Sequence, residues 1–264
     1  MIDIYQLLVA ITFGVIEGIT VSLPISSTGH MILTSHILAL NKSKINLLEI
    51  VVQCGSSISV LIIFKKKIKK IIFLNFKNYK KTNIIHISLT IIPTLLIGFF
   101  FHKEIKLIFT PINVTYGLIL GSILLFFSEW LKPKNPKIIN INNITIIQCF
   151  IIGIFQCLSF YPGVSRLGST VSSGLLLGIK KSVIIDFSLI IAIPIFIIAS
   201  IFDCCNHINT FTVQDVPIFF SGFITSLIVS RFTITSILKI IYHSSLLYLI
   251  LYRIILAIII YKIL

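Results

Sequence analysis

The chain has 264 residues, 56% of them hydrophobic and only 11% charged, with a mean hydropathy of +1.07. Soluble chains carry about 25% charged residues, and a chain this apolar has too little polar surface to cover itself in water, so its solvent is lipid. A net charge of +14 would suit nucleic acid, but 19 of the 22 basic residues are Lys gathered in short runs between apolar segments, the way membrane proteins mark their cytoplasmic side, and nucleic acid is excluded as a partner.

The chain opens apolar. Asp3 stands where a secretory signal would be basic, and no Lys or Arg precedes Lys42, so this start does not read as a signal peptide. Residues 4–40 form an apolar stretch interrupted by Glu17, Gly18, Pro24, Ser26, Ser27, Thr28, Gly29 and His30. Irregular backbone at membrane depth survives only where protein or a watery cavity surrounds it, so the stretch predicts a re-entrant hairpin with a polar tip.

Three predicted spans follow, at 47–64, 84–101 and 112–130, with a lysine-rich loop at 65–81 and Lys132, Lys134 and Lys137 after the third. Residues 145–178, interrupted by Gln156, Pro162, Gly163, Ser165, Arg166, Gly168 and Gly174, predict a second hairpin. Lys180 and Lys181 precede a span at 183–202. A polar loop at 203–214 leads to spans at 213–233 and 245–264, with Arg231 and Lys239 near their junction.

These positions put 15 positive charges on one side, against five on the other (Lys42, Lys44, Lys103, Lys106 and Lys262). The richer side is expected to be cytoplasmic, and loop 203–214 outside. The five Cys form no CxxC pair and read as packing residues.

The halves resemble one another. Gly14 to Glu17, then Pro24 and Ser27, and then Glu49, align with Gly153 to Gln156, then Pro162 and Ser165, and then Asp186, at an offset of 137 to 139 residues. A hairpin plus three spans is an odd number of crossings, so the second copy must be inverted. The expectation is a single all-α polytopic membrane domain over 1–264, with six transmembrane helices and two re-entrant helical hairpins. Its inverted repeats would cover about 1–132 and 138–264 and meet at a polar site near the midplane.

The polar residues within the apolar segments are the candidates for chemistry. Glu17 is an ionisable group at membrane depth, readable as functional or as a protonated carboxyl bonded to a neighbouring helix. Ser27 and His30 are one helical turn apart, a candidate nucleophile and proton-transfer partner, although hydroxyls also satisfy broken helices. Arg166 is one of only three Arg. Its planar fork beside Gly163 and Gly168 suits phosphate oxygens, and pairing with Glu17 or Glu49 is compatible with that. Arg253 in the last span reads equally as helix packing or as support for the site.

At these residues the chain resembles the bacitracin-resistance family, the undecaprenyl-diphosphate phosphatases. The family's first motif, EGxTEFLPxSSTGH, corresponds to the run from Glu17 to His30, and its second, PGxSRSGxT, to the run from Pro162 to Thr170. The likeness extends over essentially the whole chain, including Glu49 and the Gln53-Cys54-Gly55-Ser56 run. Two positions depart from the pattern: Val21 replaces the second Glu, and Leu167 the Ser after the motif Arg.

The resemblance implies hydrolysis of undecaprenyl diphosphate to undecaprenyl phosphate and inorganic phosphate at the outer face of the bacterial cytoplasmic (inner) membrane. That reaction recycles a lipid carrier for peptidoglycan synthesis and gives bacitracin resistance. It implies Ser27 as nucleophile, with His30, Glu17 and Arg166 as its catalytic companions. Ser26, Thr28, Gly29, Gly163, Ser165, Gly168 and Thr170 would surround the phosphates, and Glu49, Gln53 and Arg253 would stand behind them. Glu17 would be a ligand of a Mg²⁺ or Ca²⁺ cofactor. Membrane lipids are the other partners, and a homodimer is compatible with the pattern. The rival readings are a lipid-phosphate transporter, which the inverted repeat also suits, and a non-catalytic scaffold, which leaves both motifs unexplained.

Overall fold

The computed structural model describes residues 4–38, 40, 42–74, 81–207 and 215–264. Among them the chain is helical throughout, with one isolated β-bridge between Ile138 and Ile179. The first hairpin is α1 (Ile4–Thr20) and α2 (Ser27–Ile37). Then come α3 (Lys42–Lys69), α4 (Ile84–Phe100), the short α5 (His102–Leu107) and α6 (Pro111–Leu131). The second hairpin is α7 (Ile146–Gln156), a 3₁₀ turn (Cys157–Phe160) and α8 (Arg166–Leu176), followed by α9 (Lys181–His207), α10 (Val216–His243) and α11 (Leu247–Ile263).

Local sequence sets the starts. Asn83 and His86 form a reciprocal capping box on α4, as Thr145 and Gln148 do on α7. Thr110 caps α6, whose first residue is Pro111, where a missing N–H costs nothing.

Each of the six predicted spans is occupied by one continuous helix over most of its described residues, and the chain is an all-α polytopic membrane protein. Four stretches, Leu47–Ile72, Pro111–Leu131, Lys181–Phe202 and Val216–His243, are long and apolar enough to cross a bilayer by length and composition. The 17-residue α4 and α11 reach about 25 Å. The expected end of the fifth span at 233 was short by ten residues, because α10 runs on to His243. Arg231 and Lys239 lie on its exposed face, where long cationic side chains reach polar surroundings without breaking the helix. Most of loop 203–214, and Lys77 and Lys80, lie outside the described residues.

Close backbone approach drives the packing, as expected where lipid supplies no hydrophobic drive between helices. A Cβ at Gly14 or Gly18 of α1 would fall 2.7 Å from the Gly222 carbonyl oxygen or 2.6 Å from Val229 Cβ, both on α10. At Gly153 of α7 it would fall 2.5 Å from the Thr90 carbonyl oxygen on α4. So α1 lies on α10 as α7 lies on α4, while α3 packs against α9 and α6 against α11. Ser27 and Arg166 open α2 and α8, and Lys42 and Lys181 open α3 and α9, so both pairs share the spacing of the two sequence motifs. At the lysine-rich end Lys67 pairs with Asp186, which also accepts from the Tyr242 hydroxyl.

Candidate active site

Both hairpins break at a serine. Ser26 precedes α2 with φ 71° and Ser165 precedes α8 with φ 79°, left-handed conformations that cost a non-glycine residue about 1–2 kcal/mol. Each offsets part of this by capping: Ser26 Oγ accepts from the Gly29 amide at 3.2 Å, and Ser165 Oγ from the Gly168 amide at 3.1 Å. The first two amides of each helix, at Ser27 and Thr28 and at Arg166 and Leu167, have no acceptor within their own helix.

Those two helix starts open on one cavity of about 1100 Å³. Its polar end is lined by Ser26, Ser27, Thr28, Glu49, Gln53, Ser165 and Arg166. Leu96, Phe99, Ile198 and Phe202 add apolar wall, and His36, Leu40, His102 and Lys106 also line it. Two converging helix N-termini, one with a guanidinium, favour an anion, and the walls favour an apolar appendage.

Glu17 sits fully buried behind Ser27. Ser56 donates to its Oε1 at 2.9 Å, while Oε2 is buried with no hydrogen-bond partner among the described residues. Among the described residues Arg166 makes no ion pair within 4 Å. Its Nη1 donates to the Ser188 carbonyl at 2.8 Å, its guanidinium lies 5.0 Å over the Phe196 ring, and its Nε is buried and unpartnered. One edge of the fork is anchored on Ser188, and Arg166 lines the cavity.

Several predicted residues go elsewhere. His30 does not turn to Ser27. Its Nδ1 donates to the Ser26 carbonyl and its Nε2 accepts from the Tyr252 hydroxyl, both at 2.7 Å, with the rings stacked. The carbonyl fixes that tautomer, because it can only accept. The amides of Gly29 and Gly168 are spent on the serine caps. Gly163, at φ 96°, is a close-packing point where a Cβ would meet the Val114 carbonyl oxygen at 2.3 Å. Thr170 is fully buried; its hydroxyl serves the Arg166 and Leu167 carbonyls and bonds Ser188. It supports Arg166 and does not line the cavity.

Arg253 is likewise fully buried and does not line this cavity. It donates to the carbonyls of Pro24 (2.7 Å), Gly163 (2.9 Å), Val164 (3.1 Å), Gly117 (3.3 Å) and Leu118 (3.3 Å). Sequence reasoning missed Ser188, Phe196 and Tyr252, which lie far along the chain in ordinary-looking spans. Ser56 was within reach, since it closes the Gln53-Cys54-Gly55-Ser56 run.

Among the described residues no group of three or more His, Cys, Asp or Glu forms a metal cluster. Glu17, whose Oε2 is buried with no hydrogen-bond partner among the described residues, does not itself line the cavity; Glu49 and Gln53 do, and these side-chain oxygens are of the kind a hard cation takes.

Residues 10–259 match the family described as bacitracin resistance protein BacA. Three relatives are 50% identical to this chain over 243 residues, 91% of either sequence. They are the undecaprenyl-diphosphatases of Buchnera aphidicola subsp. Acyrthosiphon pisum strains Tuc7, 5A and APS.

Proposed function

This chain belongs to the bacitracin resistance protein BacA family, and we propose that it hydrolyses undecaprenyl diphosphate to undecaprenyl phosphate and inorganic phosphate. The observation that supports this most is the convergence of two strained helix starts, the Ser27 hydroxyl and the Arg166 fork on one cavity with an apolar wall. The polar end suits a diphosphate and the wall a polyprenyl chain.

In this reading Ser27 Oγ attacks the terminal phosphorus and its proton passes to Glu17. The phosphoanhydride P–O bond breaks, the lipid monophosphate leaves, and water then releases inorganic phosphate from the phosphoserine. Glu17 rather than His30 is the base in this reading, because both ring nitrogens of His30 are engaged by Ser26 and Tyr252 while Glu17 Oε2 is buried with no hydrogen-bond partner among the described residues. The free amides of α2 and α8 and the unanchored part of Arg166 face the charge that develops on the phosphoryl oxygens. A Mg²⁺ or Ca²⁺ at Glu17, with Glu49 and Gln53 nearby, would add counter-charge for the two phosphates.

The cavity would open to the outer face of the cytoplasmic (inner) membrane. Its lining includes Leu40, His102, Lys106 and Pro111, which belong to or border the connections with few positive charges. Pairing of copies in the bilayer would be read by cross-linking along α10, the most lipid-exposed of the four long spans.

Phosphate release from undecaprenyl diphosphate in detergent micelles tests the activity. Turnover by the unmodified chain, lost in Ser27→Ala, supports it, and a phosphoserine trapped by rapid quench separates serine attack from direct attack by water. Substrate binding with no phosphate release would make the protein a carrier instead.

A further inference from the structure

The two breaks lie in different halves of the sequence, yet one dipeptide of α11 holds both. Arg253 places Nη1 on the Pro24 carbonyl in the first break and Nη2 on the Gly163 and Val164 carbonyls in the second. It also reaches Gly117 and Leu118 of α6. Its neighbour Tyr252 donates to His30 Nε2, which commits His30 Nδ1–H to the carbonyl of the strained Ser26. Space for the guanidinium comes from Gly121, where a Cβ would stand 2.0 Å from Arg253 Nη2. Carbonyls pointing inward at a break would otherwise be buried and unpaired, so a planar cation with five donors fits this position as no neutral side chain does.

We propose that Tyr252 and Arg253 are positioning residues for the reaction. They fix the two serine breaks against each other, and with them the Ser27 hydroxyl and the Arg166 fork, and His30 acts within this clamp through the Ser26 carbonyl. The inference rests on the proposed phosphatase reading for its kinetic consequence, but not for its structural one. Phosphoryl transfer is sensitive to in-line geometry, so loosening the breaks lowers the rate of the chemical step more than it weakens substrate binding.

The test uses the full-length protein in micelles, with Arg253→Lys and Tyr252→Phe. Lys keeps the charge but offers three donors where five carbonyls wait. Hydrogen–deuterium exchange of the amides in 21–30 and 161–170 is expected to speed up at both breaks in Arg253→Lys, and mainly at 21–30 in Tyr252→Phe. Exchange in the middle of α3 and α9 is expected to stay unchanged. With undecaprenyl diphosphate as substrate, kcat is expected to fall at least about tenfold in Arg253→Lys, with KM within about threefold. Tyr248→Phe, an exposed position on the same helix, serves as the control with native kinetics.

Unchanged exchange at both breaks would overturn the clamp whatever the activity. Faster exchange with native kcat would overturn the positioning role, as would a kcat loss matched by an equal loss of folded protein. If the unmodified chain releases no phosphate, the phosphatase reading fails while the exchange experiment still decides the clamp.

Discussion

Ser26 and Ser165 hold the same left-handed backbone, φ 71° and φ 79°, and each accepts a hydrogen bond from the amide of the glycine three residues on. A side chain at positive φ opposes folding, and the cap it makes favours it. Ser165→Ala keeps the strain and loses the cap, so it should destabilise the protein by about 1 kcal/mol. Ser165→Gly loses the cap but relieves the strain and should be nearly neutral. Thermal unfolding in micelles checks the order: Ala matching or exceeding Gly would mean that the positive φ costs nothing here, and Ala matching the native Ser would mean that the cap contributes nothing.

Arg166→Lys should be far from conservative. The Arg anchors one nitrogen on Ser188, lies over Phe196 and still presents a second edge, which a single ammonium cannot do. We expect kcat/KM for undecaprenyl diphosphate to fall at least about tenfold, roughly 1.4 kcal/mol of transition-state stabilisation. Near-native kinetics in the Lys variant would remove Arg166 from the phosphate site.

Val21 is buried in the apolar cluster that also contains Leu167, and both line the cavity. The two departures from the family motifs therefore both lie in the lining of the cavity. Val21→Glu would place a second carboxylate on the α1 side of the cavity. It should raise phosphate release most at limiting Mg²⁺ or Ca²⁺, and far less in a Glu17→Gln background. An unchanged rate and unchanged metal dependence would show that a second carboxylate is dispensable in this chain.

Gly117 touches the second break so closely that a Cβ would lie 1.9 Å from the Pro162 carbonyl oxygen. Gly117→Ala must push α6 away from α8, at a cost on the order of 1–3 kcal/mol or more. A lower melting temperature is expected, and an unchanged one would mean that the break can move freely.

Orientation is read with cysteines at two exposed lysines. After removal of the native Cys, Lys103→Cys should react with an impermeant thiol reagent added outside intact cells, and Lys134→Cys should not. The opposite pattern would place the cavity mouth on the cytoplasmic side.

The sequence alone determined what depends on composition and on neighbours along the chain. Long Ile-rich segments between lysine runs force six helices into lipid, and the polar interruptions around Pro24 and Pro162 force two breaks, because unpaired backbone cannot face hydrocarbon. Glu17, Ser27 and Arg166 were legible because a polar group in an apolar run has few reasons to be there. What those groups touch was decided only by tertiary packing. His30, one turn from Ser27, turns instead to Tyr252, and Arg253, readable either as packing or as support for the site, spends its donors on the backbone of both breaks and of α6. Such pairings join residues more than 80 positions apart, and they follow from which helices glycines allow to approach, a choice that no local pattern records.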